Sequence, residues 1–405
     1  MKYFNLTKRI LSAALVGAIA LSLTACSASS DSSSSGETAS SDESSTVSTE
    51  STESTDSTEK TTLRLAYHGS LCGAPLYIGI EKGFFEEEGI EIEQVNIDAA
   101  HVSEAIGADQ VDVGMGLIGK FLQPLENGLP IKFTTGIHTG CIKLLVPADS
   151  DIKSITDLKG KNVGVPGLAD AGTIVTKRSL YNAGIDVSEG SSEVDFTVFS
   201  RNDLPQALEN GAVDAIVLGD PQASVAQEEY NLSVLIDTAS DEEYKDEYCC
   251  AAFVTTKLAE ENPEAAAAFT RAVQKASQWV QDNPEEAAQI ITEKNYVSGE
   301  ADFAASVLST YNYKPSVQGG YDALKLSAEQ LSQIGILSSD TDATAFADNA
   351  YAFFDGVEDT VSSGETSAQS GNISLSASTL DFVAKSAAKD SSEAVTEEDD
   401  CCGGK

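Results

Sequence analysis

Between Thr61 and Leu218 short apolar runs alternate with amphipathic stretches, and no other feature of the chain limits its fold as strongly. "TTLRLAY", residues 61–67, reads as a strand. "APLYIGIEKGFFEEEG" follows with helical spacing up to a stop at Gly89, and "IEIEQVNI" returns to strict two-residue alternation. Further apolar runs lie at Val111–Leu117, Ile142–Val146, Asn162–Val165, Val194–Val198 and Ala215–Leu218, most with a helical stretch between them. Strands alternating with helices predict a mostly parallel α/β sheet. After Thr255 the pattern turns almost wholly helical. Asn262-Pro263 and Asn283-Pro284 mark two helix starts, with Pro in the first turn and Glu behind it.

The ends of the chain have another character. Residues 1–25 have the layout of a secretory signal, with Lys2, Lys8 and Arg9 ahead of an apolar run from Ile10 to Leu23. "LTAC" at Leu23–Cys26 resembles the lipobox of bacterial lipoproteins, which implies acylation of Cys26 and a lipid anchor on the outer face of the cell membrane. No other stretch approaches the roughly 20 apolar residues of a spanning helix. Residues 26–60, rich in Ser, Thr, Glu and Asp, read as a tether. Residues 356–405 read as an acidic tail ending in "CCGGK". The folded part is then about Thr61 to Asp355, long enough for two domains. The formal net charge of −39 argues against nucleic acid and anionic membrane surfaces as partners.

Four segments of the folded part carry a family resemblance. "AYHGSLCGAPLYIGIEKGFFEEEGIEIEQV", "ADQVDVGMG", "DLKGKNVGVPG" and "GAVDAIVLGDPQA" resemble, in that order, the landmarks of ABC-importer solute-binding proteins for nitrate, sulfonates, taurine and thiamine precursors. The resemblance spans about Leu63 to Phe354. It implies an α/β, two-lobed type II periplasmic-binding-protein fold with two hinge crossings and a helical C-terminal part. Lobe 1 would comprise residues 61–142 and 251–355, and lobe 2 residues 143–250. It also implies a monomer that closes on a small ligand and delivers it to a permease and its ATPase, with no cofactor and no catalysis. Thiamine-precursor synthases share the fold, so an enzyme is the main alternative, and a thiol redox or metal-handling module is the next.

In open α/β sheets ligands bind beyond the carboxyl ends of strands, where loops and helix N-termini expose backbone N–H groups. That rule selects "YHGSLCG" with Tyr67, His68 and Cys72, and "GMG" with Met115. It also selects "PGLADAGT" with Gly167, Asp170 and Thr173, "GDPQ" with Asp220, and the two crossings "HTGC" and "YCC". The stretch from Gly167 to Thr173 suits an anionic group, with Thr173 either capping the next helix or donating to the ligand. A glycine turn with an ordinary cap is the alternative.

Under this fold Cys72, Cys141, Cys249 and Cys250 all map onto the cleft, where chance would scatter them. Structural disulfides such as Cys72 to Cys141 are one account, and small buried hydrophobes a second. The third is ligation of a thiophilic centre, supported by His68 and His138, because thiolates and imidazoles select copper(I), zinc or arsenic-like centres over magnesium or calcium. Adjacent strand residues face opposite ways, so Cys249 and Cys250 can share a centre only if the strand is bent. Cys401 and Cys402 fit the same chemistry as capture ligands on the tail, or as a redox pair. Trp279, Phe269, Phe303, Phe353 and Phe354 fall at helical spacing and are expected in the core. Replacing Cys26 with Ser should release the protein from the membrane fraction; a variant that stays there would refute acylation at this position.

Overall fold

The computed structural model describes residues 60–98 and 101–359. Cys26, Cys401 and Cys402, with the signal, almost all of the tether and most of the tail, lie outside the described residues. Among the described residues eleven strands form two sheets flanked by helices. They are β1 Thr61–Tyr67, β2 Ile90–Asn96, β3 Val113–Leu117, β4 Ile131–Thr139, β5 Ile142–Pro147, β6 Asn162–Val165, β7 Asp195–Val198, β8 Ala215–Gly219, β9 Leu232–Asp237, β10 Tyr248–Thr255 and β11 Asn312–Ser316. The first sheet has the order β11-β4-β10-β3-β1-β2 and the second β7-β6-β8-β5-β9. No helix among the described residues is long and apolar enough to cross a membrane.

The alternation read from the sequence is realised in each sheet's parallel part, where β1 pairs with β2 and β3, and β6 with β7 and β8. The rest is antiparallel. β10 runs against both β3 and β4, and β5 against both β8 and β9. The cause is topological: β4 leads into the second sheet, and β10 must enter the first sheet from the opposite end when the chain returns. β10 then lies at the centre of the first sheet, where Ala251, Ala252, Phe253 and Val254 are wholly buried.

Three strands lie outside the runs read from the sequence. β4, "IKFTTGIHT", is covered on both faces and so shows no alternation. Its buried Thr134 and Thr135 hydroxyls accept hydrogen bonds from Thr270 and Gln274 of the helix Pro263–Asp282. β9 is an edge strand of the second sheet. β11 falls in the part expected to be helical and contains Pro315, which is tolerated because β11 is also an edge strand. The helix starts at Pro263 and Pro284 are found as expected, and the Asn262 side chain accepts from the Ala265 amide. Phe269 and Phe303 are core residues, Trp279 is half-buried under the Lys82 ammonium, and Phe353 is 58% exposed instead of buried.

One close approach holds the C-terminal helices to the sheet. Helix Val317–Gln333 crosses β4 where Gly320 meets Gly136, and a Cβ on Gly320 would stand 2.3 Å from the Gly136 amide nitrogen. Backbone cannot yield there as a flexible side chain would. Gly320→Ala should therefore destabilise the fold by about 1–3 kcal/mol in denaturant titrations. Gly107→Ala, on an exposed position with nothing within 4 Å, should stay within about 0.5 kcal/mol of the parent. Equal stability of the two variants would contradict the contact.

Candidate functional site

The site begins where the chain passes between sheets. β4 ends at Thr139, Gly140 turns with φ +67°, and Cys141 opens the way into β5. The returning segment lies alongside, so close that a Cβ on Gly140 would fall 2.5 Å from Ala239. Thr238 joins the two crossings: its hydroxyl oxygen accepts from the Cys141 and Ile142 amides at 3.1 and 3.0 Å.

The return strand then breaks register. β10 pairs with β4 through Tyr248 opposite Thr139, Cys250 opposite His138 and Ala251 opposite Gly136, with irregularities on both sides of Cys250. This is the bend that a shared centre requires, because a bulge redirects neighbouring side chains. As a result the sulfurs of Cys141, Cys249 and Cys250 lie within 4.8 Å of one another. Donor atoms of Cys72, His138 and Cys250 do the same. Cys72 arrives from the short turn Leu71–Gly73 after β1. All four cysteines are free, so the disulfide from Cys72 to Cys141 is not formed. Cys249 Sγ lies 3.4 Å from Cys141 Sγ and 3.5 Å from His138 Nδ1.

His138 is fully buried and packs against two aromatic rings. Tyr311 stacks on it at 5.1 Å and Tyr313 lies tilted at 5.2 Å. Its Nδ1 faces the Thr139 carbonyl at 3.3 Å, whereas Nε2 has no hydrogen-bond partner. The Tyr313 hydroxyl donates to the Leu71 carbonyl at 3.4 Å, which ties β11 to the turn that carries Cys72.

Charge within the cluster is unequally shared. Hydrogen bonds from Cys249 and Cys250 draw the Cys141 thiol down to about 5 despite its burial. Cys72 is also lowered, chiefly by its hydrogen bond with Cys250. Burial and the neighbouring Cys141 push Cys249 up, and hydrogen bonding to Cys141 does so for Cys250. Burial works against a charged His138, but the Cys72 and Cys141 thiolates outweigh it and raise its pKa. The arrangement brings four cysteine sulfurs and an imidazole together at the crossings, a donor set for soft centres.

The other residues selected from the sequence are distributed around this cluster. Met115 is buried opposite Ala252 on β10. The Tyr67 hydroxyl donates to the Tyr296 carbonyl at 2.8 Å. His68 stands apart from both triads; its Nδ1 is buried without a partner, and burial lowers its pKa. In the second lobe the helix Ala171–Asn182 is capped by Asp170, whose carboxylate accepts from the Gly172 amide and pairs with Arg201. A negative charge thus already occupies the helix N-terminus expected to hold an anion. Thr173, expected as the cap or as a ligand donor, is buried and donates to the Gly167 carbonyl at 2.7 Å. Asp220 is buried against Lys143 at 3.5 Å and accepts from the Ser224 hydroxyl at 2.7 Å.

Tyr311, Tyr313, Thr238, Lys143 and Ser224 are missing from the sequence reading. A signal existed for three of them: "YNY", with Tyr311 and Tyr313, alternates as a strand does, and Lys143 stands alone inside an apolar run. A cavity of about 40 Å³ lies between the lobes beside Cys249, lined mainly by apolar residues such as Leu117, Ile142 and Ile174, with the Arg178–Glu247 ion pair at its wall. Pockets for drug-sized ligands ordinarily measure about 300–1,000 Å³. Mild two-electron oxidation by diamide should join Cys141 to Cys249 with loss of two hydrogens, read as a cross-linked peptide pair. Recovery of another cysteine pair as the main product would contradict the geometry.

Comparison with known proteins agrees with this architecture. The putative aliphatic sulfonates-binding protein of Bacillus subtilis (strain 168) is 26% identical over 239 residues, 57% of this chain and 69% of that protein. A putative thiamine biosynthesis protein of Haemophilus influenzae is 28% identical over 163 residues, 39% of this chain and 49% of that protein. The periplasmic aliphatic sulphonate binding protein SsuA of Escherichia coli has the same fold, with a TM-score of 0.60 at 18% identity, covering 78% of this chain and 98% of that one. The family described as NMT1/THI5 like matches residues 73–287, just over half of the sequence, and the chain belongs to that family.

Proposed function

We propose that the protein is the extracytoplasmic solute-binding receptor of an ABC importer, anchored through acylated Cys26, and that it holds its ligand at the thiol cluster where the lobes join. The observation that carries this reading is the meeting of four free cysteines with His138 at the two crossings. Cys72, His138 and Cys250 belong to the first sheet or its loops, and Cys141 lies at the entry to the second. A ligand bonded to both groups fixes the angle between the lobes, and that angle is what a permease reads in a hinge-closing receptor. The ligand class is thiophilic, a soft metal complex or a trivalent arsenical. A small organic anion is the less favoured class, because Asp170 occupies the helix N-terminus and the cavity is small. Cys401 and Cys402 are proposed to capture the ligand and pass it to the cleft. A thiol-redox module on the same fold is the second reading, favoured by the 3.4 Å approach of Cys141 to Cys249.

Small-angle scattering of the reduced protein should show a smaller radius of gyration with arsenite or copper(I) present and no change with nitrate, taurine or sulfate. The soft ligands should also protect the cluster from alkylation. Cys249→Ser with Cys250→Ser should abolish both effects while leaving the helical circular-dichroism signal in place, because Ser is nearly isosteric but a poor ligand for soft centres. Closure by taurine in the double variant would remove the thiols from the binding role and leave the receptor assignment standing.

A further inference from the structure

We infer that the cluster takes two soft, monovalent d10 metal ions, copper(I) or silver(I), with Cys250 releasing its proton to solvent on binding and bridging them as a thiolate. The inference rests on the proposal that the thiol cluster is the ligand site, and it specifies the cargo. Five donors converge, but they do so as two sets of three. One is Cys72, His138 and Cys250; the other is Cys141, Cys249 and Cys250. Within each set the donor atoms lie within 4.8 Å of one another, and only Cys250 belongs to both.

Metal–sulfur bonds near 2.3 Å place three trigonal donors about 4 Å apart, so each set closes on one ion with small side-chain movements. A single tetrahedral ion would use four donors from one compact group, and among the described residues the clusters are threes. Zinc in a closed structural site is almost always four-coordinate, whereas the soft monovalent ions accept three donors and select thiolates. Trivalent arsenic suits the all-sulfur set but leaves Cys72 and His138 unused.

An independent observation comes from the histidine. His138 Nε2 is buried, has no hydrogen-bond partner and belongs to a ring that packs against Tyr311 and Tyr313. An orphaned imidazole nitrogen costs stability in an empty protein, and coordination to an ion would satisfy it. The bridge is likewise built by the backbone, since the irregularities on both sides of Cys250 are what bring its sulfur into both sets.

The test is an anaerobic copper(I) titration against bicinchoninate on the full mature chain, with Cys401 and Cys402 replaced by Ser so that only the cluster is counted. Two equivalents per chain are expected. Cys72→Ser and Cys141→Ser should each retain one tight equivalent. Cys250→Ser should weaken both by more than the roughly 10–100-fold that follows loss of an outer-shell partner. Circular dichroism and silver(I) binding to each variant separate loss of a ligand from loss of folding. Saturation at one equivalent, or loss of both ions in Cys72→Ser, overturns the two-centre site while leaving a thiol receptor. Zinc(II) held in preference to copper(I) overturns the choice of ion. No metal bound, with an aliphatic sulfonate bound instead, overturns the thiol site itself.

Discussion

The two crossings touch. Gly140 on the outgoing segment and Ala239 on the returning one are in van der Waals contact, and Thr238 accepts hydrogen bonds from both Cys141 and Ile142. A residue with a side chain at 140 would meet Ala239 and would also have to adopt the left-handed φ that glycine tolerates. Because the crossings lie side by side, Cys141 and Cys249, 108 residues apart in the chain, come to 3.4 Å. The thiol cluster is a consequence of the hinge.

Other features of the site follow from the same contact. β10 must return antiparallel through the centre of the first sheet, and its irregular pairing with β4 sits just where it leaves the crossing. That break turns Cys249 and Cys250 toward common partners and sets Cys250 opposite His138. β11 closes the edge beside β4 and supplies Tyr313, and Tyr311 just before it stacks on the imidazole. An unpaired buried ring nitrogen costs about 1–3 kcal/mol. The fold sustains that cost in a region otherwise sealed by the apolar residues of β10.

The family relationship accounts for the two lobes and the connections between them, and the related proteins include ones named as sulfonate-binding and as thiamine-biosynthetic. At the junction the chain places a group of thiols. Its interlobe space beside Cys249 is small and mainly apolar, the helix N-terminus in the second lobe is capped by Asp170, and the polar atoms converging on the crossings are chiefly sulfur. A donor set of this kind discriminates by chemical softness. It does not depend on the shape of an organic ligand or on hydrogen bonds to oxyanions.

Periodicity and punctuation alone determined much of the fold. Strand–helix alternation gave the α/β class and Asn262-Pro263 and Asn283-Pro284 gave two helix starts, while the positions of the crossings came from the resemblance to solute-binding proteins. Strands buried on both faces, such as β4, escape such reading because alternation disappears when neither face meets water. The edge strand β11 hides behind its proline. Only the tertiary structure decided that Cys250 belongs to two triads, that His138 packs against two tyrosines, and that Thr173 is turned inward while Asp170 caps the helix. Each of these depends on a side-chain direction set by a bulge, a turn or a partner far away in the chain. Local propensity carries no information about the far side of a contact between segments that meet only when the lobes are joined.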